Sequence, residues 1–110
     1  MKRKINLYIE DIKTAIRKIE QYTKGMSLGD FVKDEKTMDA VVRNISIIGE
    51  AAKNIPKEIK SKHPEIMWSD IVGMRNKIIH EYFGIDEDVL WKTIREDITV
   101  LKKEIKKLSK

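Results

Sequence analysis

Residues 35–54, EKTMDAVVRNISIIGEAAKN, have the clearest helical pattern in the chain. Their apolar side chains recur every three or four residues and their charged side chains fall on the opposite face, as in an amphipathic helix that covers a core. Asp34 precedes the stretch and is a suitable N-cap, because its carboxylate can accept a hydrogen bond from an amide of the first turn. The predicted apolar face contains Met38, Val42, Ile45, Ile48, Gly49 and Ala52, and the polar face contains Asp39, Arg43, Ser46, Glu50 and Lys53.

Gly49 is the unusual member of this apolar face. Glycine lowers helix propensity, so its presence on a buried face needs a compensation. We expect a neighbouring helix to approach the backbone closely at this position.

Three more long helices are predicted around this one. The first spans about residues 5–23, the third about 68–83 before Gly84, and the fourth about 87–108 behind Asp86 as N-cap. A short helical piece is expected at 57–63, between two prolines. The first helix carries a narrow apolar seam of Ile5, Ile9, Ile12, Ile16 and Ile19, and the fourth a seam of Leu90, Ile94, Ile98, Leu101, Ile105 and Leu108.

These patterns predict an all-α fold, an antiparallel bundle of four long helices plus a short helical segment. The length of 110 residues fits a single domain, residues 1–110. The two narrow seams indicate that the first and last helices pack on each other or on a second copy of the chain.

Composition excludes several classes of protein. The chain has no cysteine, which removes disulfide frameworks, thiolate zinc sites and cysteine nucleophiles. No apolar run approaches the ~20 residues needed to span a bilayer, and no apolar signal core follows the basic N-terminus, so we expect a cytoplasmic protein with no membrane association. With 23 Lys+Arg against 18 Asp+Glu the net charge is +5, which permits nucleic acid as a partner without requiring it.

The third predicted helix combines an apolar stripe with a cation. On an ideal helix Arg75 falls within an arc about 80° wide that also holds apolar side chains such as Ile71 and Ile78. A buried arginine needs a charged or hydrogen-bonding partner, or it must face a cleft. On the same ideal helix His80 lies about 140° around from Arg75, so the two side chains converge only if the helix bends, if arginine's reach covers the gap, or if a second subunit contributes.

Residues 73–84, GMRNKIIHEYFG, resemble the HEPN superfamily, whose ribonucleases carry an arginine, four to six residues and a histidine. The triplet of residues 80–82, HEY, narrows the resemblance to the HepT-like toxins of HEPN/MNT toxin–antitoxin modules. Residues 48–52 (IGEAA), Trp68, residues 84–86 (GID) and residues 89–91 (VLW) agree with it. The resemblance covers most of the chain from Asp34 onward.

This resemblance implies a homodimeric helical bundle with the two Arg–His motifs in a cleft at the interface. It implies metal-independent RNA endonuclease activity with no cofactor, in which Arg75 and His80 are catalytic and Asn76 and Glu50 support them. It also implies a minimal nucleotidyltransferase antitoxin as a partner, which adenylylates Tyr82.

Simpler interpretations stand beside this one. Arg75 can be a structural ion-pair partner, for example of Glu50, and Glu50 can be an ordinary solvated side chain. The ring of Tyr82 can belong to the core. The chain as a whole can be a catalytically silent helical partner or scaffold of a nucleotidyltransferase, or a purely structural helical dimer.

Overall fold

A computed structural model describes residues 2–80 and 84–108, with side chains described for residues 5–78 and 84–108. The chain is mostly helical, which confirms the all-α prediction, although its helices are shorter and more numerous than predicted. The helices are α1 (Lys2–Thr23), α2 (Leu28–Val32), α3 (Glu35–Asn54), α4 (Lys57–Lys62), α5 (Trp68–Val72), α6 (Met74–Ile78), α7 (Glu87–Lys92) and α8 (Ile98–Lys106), with a π-helical turn at Thr93–Asp97 between the last two. Two short strands, β1 (Ile79–His80) and β2 (Gly84–Ile85), pair antiparallel.

Helices α1, α3 and α8 build the core. Helix α1 packs on α3 and also on α8, so the predicted contact between the first and last helices is present within one chain. The isoleucine seams of α1 and of the last helical run are buried together with the apolar face of α3. Among the described residues, no helix is long and apolar enough to cross a membrane.

Helix α3 has the predicted limits and the predicted cap. The Thr37 amide donates to the Asp34 carboxylate at 3.0 Å. Hydrogen bonds from the Thr37 amide and hydroxyl lower the pKa of Asp34, because both favour its charged form. Asp86 caps α7 in the same way, accepting from the Val89 amide at 3.2 Å.

Helix α2 was not predicted from the sequence. It begins with a capping box in which the Asp30 amide donates to the Ser27 hydroxyl and the Ser27 amide donates to the Asp30 carboxylate, both at 3.1 Å. Phe31 is fully buried and its ring centroid lies 5.1 Å from that of Trp91. This five-residue helix is therefore held by its cap and one aromatic contact rather than by periodicity.

The last helical run is confirmed from Glu87 to Lys106, but it contains a π-helical turn. Leu90, Ile94 and Ile98 are spaced by four residues, and on an α-helix each such step rotates the side chain by about 40° away from the seam. A π-helical turn has more residues per turn and reduces that drift. All three side chains are consequently buried.

The single third helix predicted for residues 68–83 is wrong. The helix is interrupted at Gly73, resumes as α6 and ends at Ile78, and Ile79 then pairs with Ile85 as a strand. In a continuous helix the Asn76 amide would donate to the Val72 carbonyl. It donates instead to the Gly73 carbonyl at 3.0 Å. The end of the predicted helix, residues 81–83, lies outside the described residues.

The close approach predicted at Gly49 is confirmed, and it occurs at this interruption. A Cβ atom added to Gly49 would lie 3.2 Å from the Val72 carbonyl oxygen and 3.7 Å from that of Ile71. The absence of a side chain on α3 therefore lets the last turn of α5 rest directly against the α3 backbone, next to the break at Gly73.

We expect Gly49→Val to destabilise the protein by about 1–3 kcal/mol, because the added methyl groups overlap the Val72 carbonyl and push α5 away from α3. Urea denaturation measures the change. Gly29→Val is the matched control, since a Cβ atom there meets only the Ser27 hydroxyl at 3.7 Å, and it should change the free energy of unfolding by less than about 0.5 kcal/mol. Equal effects of the two substitutions would show that Gly49 is not a close contact.

Candidate active site

Helix α6 presents the two polar residues of the motif to solvent. Met74 and Ile78 are buried and fix this short helix on the core, while Arg75 and Asn76 between them are exposed. The predicted burial of Arg75 in an apolar stripe is therefore wrong. The stripe was drawn on one continuous helix, and the interruption at Gly73 changes the direction in which Arg75 points.

Arg75 has no charge partner among the described residues. None of their ion pairs or side-chain hydrogen bonds includes it, and no contact links it to Glu50. An exposed guanidinium without a carboxylate keeps all of its N–H donors for a ligand, and its planar fork suits phosphate oxygens. The structural ion pair considered for Arg75 and Glu50 is thus not present.

Asn76 lines a surface groove between α3, α4 and α5, called here the Asn76 groove. Its floor is apolar and its rim is basic. The residues that line it are Lys53, Lys60, Trp68, Ser69, Val72, Gly73 and Asn76.

The Trp68 ring is held in place on one side of this groove. Its indole N–H donates to the His63 carbonyl at 3.2 Å, and the Lys60 ammonium lies 5.7 Å from its ring centroid. Trp68 is partly buried and packs against the core, so it combines a fixed orientation with partial exposure.

Lys53 and Lys60 were missed as site residues. Each is an unremarkable lysine in the sequence, one near the end of α3 and one on α4. Their proximity to Asn76 depends on the chain reversal at Asn54–Lys57 and on the packing of α5 on α3, and neither could be derived from periodicity alone.

Glu50 lies in a different groove, between α1 and α3. That surface also includes Tyr8, Asp11, Arg43 and Asn54. The Glu50 side chain is exposed. The backbone carbonyl of Glu50 accepts a hydrogen bond from the side-chain amide of Asn54 at 2.9 Å. Within one chain the structure therefore does not bring Glu50 into the groove of Asn76.

The backbone places His80 after α6 in strand β1, where it pairs with Gly84. The side chain of His80 is outside the described part of the chain, and so is all of Tyr82. Because the chain leaves helical geometry before His80, the angle of about 140° that an ideal helix would place between Arg75 and His80 does not apply. That angle therefore no longer argues against their convergence. In the parts of the chain that are described, no three His, Asp or Glu side chains come together as metal ligands.

Comparison with known proteins gives a consistent result. The family model described as "Ribonuclease HepT-like" matches residues 12–108. The chain is 52% identical to "Probable ribonuclease HepT" of Thermococcus cleftensis over the full length of both chains. It is 45% identical to "Putative RNase TTE0752" of Caldanaerobacter subterraneus subsp. tengcongensis, covering 92% of this chain and 90% of the relative. No solved structure matches the chain with statistical significance.

Arg75→Ala should leave the free energy of unfolding within about 0.5 kcal/mol of the wild-type value, because the side chain is exposed and forms no ion pair with a described residue. Ile78→Ala, three residues away on the same helix, should cost about 2–5 kcal/mol, since Ile78 is fully buried. Thermal and urea denaturation measure both. A large loss of stability in Arg75→Ala would restore a structural role for the arginine.

Proposed function

The chain belongs to the HepT-like ribonuclease family, and from that premise we propose that it is a metal-independent RNA endonuclease that acts as the toxin of a toxin–antitoxin module. The observation that carries the proposal is Arg75, an exposed cation on α6 that is unpaired among the described residues and lies five residues before His80 in the family's motif. In this proposal residues 1–110 form one HEPN-like domain.

The proposed reaction uses the RNA's own 2′-hydroxyl as nucleophile. The 2′-oxygen attacks the adjacent phosphorus, the bond between phosphorus and the 5′-oxygen breaks, and the products are a 2′,3′-cyclic phosphate and a free 5′-hydroxyl. One group removes the 2′ proton and another protonates the leaving 5′-oxygen. Imidazole, with an ordinary pKa of about 6.5, can perform either proton transfer near neutral pH.

Arg75 would stabilise the charge that accumulates on the phosphorane oxygens. This role needs donors that are already free of other partners, since donors that must first break an ion pair lose part of their stabilising effect. Among the described residues no ion pair or side-chain hydrogen bond engages Arg75, which agrees with that condition. Asn76, exposed beside it, would contact the phosphate or orient the RNA. Glu50 would support the site only from the second chain or through a change in α1 and α3, because it lies in another groove of its own chain.

The active site is proposed to be completed by a second copy of the chain. Each chain contributes one motif histidine, whereas the reaction uses two proton-transfer steps. A two-fold axis that brings two α6 segments together would provide two histidines and two arginines in one cleft. This arrangement supports the homodimer as the active species.

The regulatory partner is proposed to be a minimal nucleotidyltransferase antitoxin that adenylylates Tyr82. Tyr82 follows His80 by two residues, so an added nucleotide would bring phosphate charge to the neighbourhood of the catalytic histidine. Negative charge there would repel RNA and occupy the space that the substrate needs.

In buffer with EDTA, the purified protein should cleave single-stranded RNA, and Arg75→Ala and His80→Ala should each lose at least about 100-fold in rate, the magnitude expected for a proton-transfer group or an oxyanion donor. Product analysis should find 2′,3′-cyclic phosphate ends. Lys62→Ala, an exposed lysine on α4, is the control and should cleave at the wild-type rate.

Three outcomes would contradict the proposal. Unchanged cleavage by both Arg75→Ala and His80→Ala would contradict the proposed mechanism. Light scattering that finds only a monomer of 12.9 kDa would also contradict it, because a monomer has only one motif histidine. Absence of growth arrest on expression of the active chain alone would favour the silent partner of a nucleotidyltransferase.

Co-expression with a minimal nucleotidyltransferase should increase the intact mass of the chain by one or more adenylyl groups and abolish RNA cleavage. Tyr82→Phe should show no mass increase and should keep its toxicity in the presence of the partner. Tyr22→Phe is the control, because Tyr22 is an exposed tyrosine on α1 and its loss should not prevent modification. Modification that persists in Tyr82→Phe would place the acceptor elsewhere.

A further inference from the structure

We propose that the Asn76 groove binds one unpaired nucleotide of the RNA substrate, with its base against Trp68 and its phosphate between Lys53 and Lys60. The inference rests on the proposed ribonuclease function and assigns it a substrate-positioning site. In this assignment Lys53, Lys60 and Trp68 are positioning residues, because they hold RNA beside the Arg75–His80 motif.

The charge of the groove favours an anionic ligand. Lys53 and Lys60 both line it, and neither forms an ion pair with any described residue. No carboxylate is among the described residues that line it. Two lysines that share a groove and have no acid partner among the described residues repel each other, and a phosphate between them would reduce that repulsion.

Some of the other basic positions on the chain are compensated. The Lys102 ammonium lies 3.1 Å from the Glu20 carboxylate, and Lys13 lies 3.7 Å from Glu10. These residues lie on α1 and α8, where the numbers of lysines and arginines are higher. The Asn76 groove has fewer cations, but neither Lys53 nor Lys60 is paired with an acid among the described residues.

The Trp68 ring gives the groove a surface for a base if the Lys60 ammonium, which lies 5.7 Å from the ring centroid, moves from the ring to the phosphate. Aromatic side chains bind single-stranded nucleic acids by stacking, which adds about 1–3 kcal/mol per base without demanding a particular sequence. Because the indole N–H is bonded to the His63 carbonyl, the ring is already oriented and loses little freedom on binding. Asn76 adds an amide that can donate to and accept from a base edge or a 2′-hydroxyl.

The position of the groove connects it to the proposed chemistry. Asn76 lines the groove and Arg75 is its neighbour on α6. A nucleotide held at Asn76 would therefore leave the adjoining phosphate next to Arg75.

The test measures RNA binding in a His80→Ala background, so that the RNA stays intact, with oligouridylate of about 12 nucleotides as the probe. Replacing both Lys53 and Lys60 by glutamine should make the slope of log Kd against log salt shallower by about 1.4, since each lost phosphate contact on a single strand contributes about 0.7. The control replaces Lys36 and Lys62 by glutamine. It removes the same charge from exposed positions outside the groove and should keep the wild-type slope.

A second measurement reports on Trp68 directly. The chain has two tryptophans, so Trp91→Phe leaves Trp68 as the only indole and retains an aromatic ring against Phe31. Saturating RNA should quench Trp68 fluorescence and protect it from iodide, which a purely structural tryptophan would not show.

Equal salt slopes for the groove pair and the control pair, or Trp68 fluorescence that does not respond to saturating RNA, would overturn the proposal. The result is separable from that of the cleavage assay. If His80→Ala loses cleavage and the salt slopes are equal, the proposed ribonuclease activity stands and RNA binding in the Asn76 groove is rejected. If the groove variants weaken RNA binding by a chain that never cleaves RNA, binding in the groove stands and the ribonuclease activity is rejected.

Discussion

The contact of Gly49 with the Val72 carbonyl is the constraint on which the candidate site depends. It requires a residue without a side chain on the buried face of α3, and it brings the end of α5 to within van der Waals distance of another helix's backbone. The cost of glycine in a helix interior is about 1 kcal/mol, which the close packing of α5 on α3 must offset. A larger residue would move α5, and with it the break at Gly73 and the whole of α6.

The break has a direct consequence for function. Because the Asn76 amide donates to the Gly73 carbonyl, α6 begins as a new helix and not as a continuation of α5. Two buried anchors, Met74 and Ile78, then suffice to hold it, and the polar residues between them are turned to solvent. A continuous helix would have placed Arg75 among apolar side chains, where it would have needed a carboxylate. The interruption thus leaves Arg75 exposed and without an ion pair to any described residue.

The parts of the fold that follow from local pattern were predictable, and most of the parts that follow from tertiary contacts were not. Helix α3 was predicted with its limits and its Asp34 cap, because both are encoded by neighbouring residues. The close approach at Gly49 is a tertiary contact that was predicted, because a glycine on a buried helix face indicates one. Helix α2 was missed since its five residues are too few for a periodic signal. The third helix was predicted to be too long, because the sequence spacing of Trp68, Ile71 and Ile78 is typical of a helix. The backbone nevertheless breaks at Gly73, and Ile79 pairs with Ile85 as a strand. The site shows the same division, since the motif residues were found by their order in the chain, whereas Lys53 and Lys60 became visible only when α3, α4 and α5 were placed side by side.

The distribution of compensated and uncompensated charge says more about nucleic-acid recognition than the net charge of +5. The first and last helices carry many of the cations, yet Lys102 and Lys13 are paired with acids there, and paired surface charges offer little attraction at physiological salt. Arg75, Lys53 and Lys60 are few, but no acid neutralises them among the described residues. Arg75 follows the break at Gly73, and Lys53 follows Gly49 by four residues on α3, so the contact at Gly49 helps to place positive charge beside the candidate site.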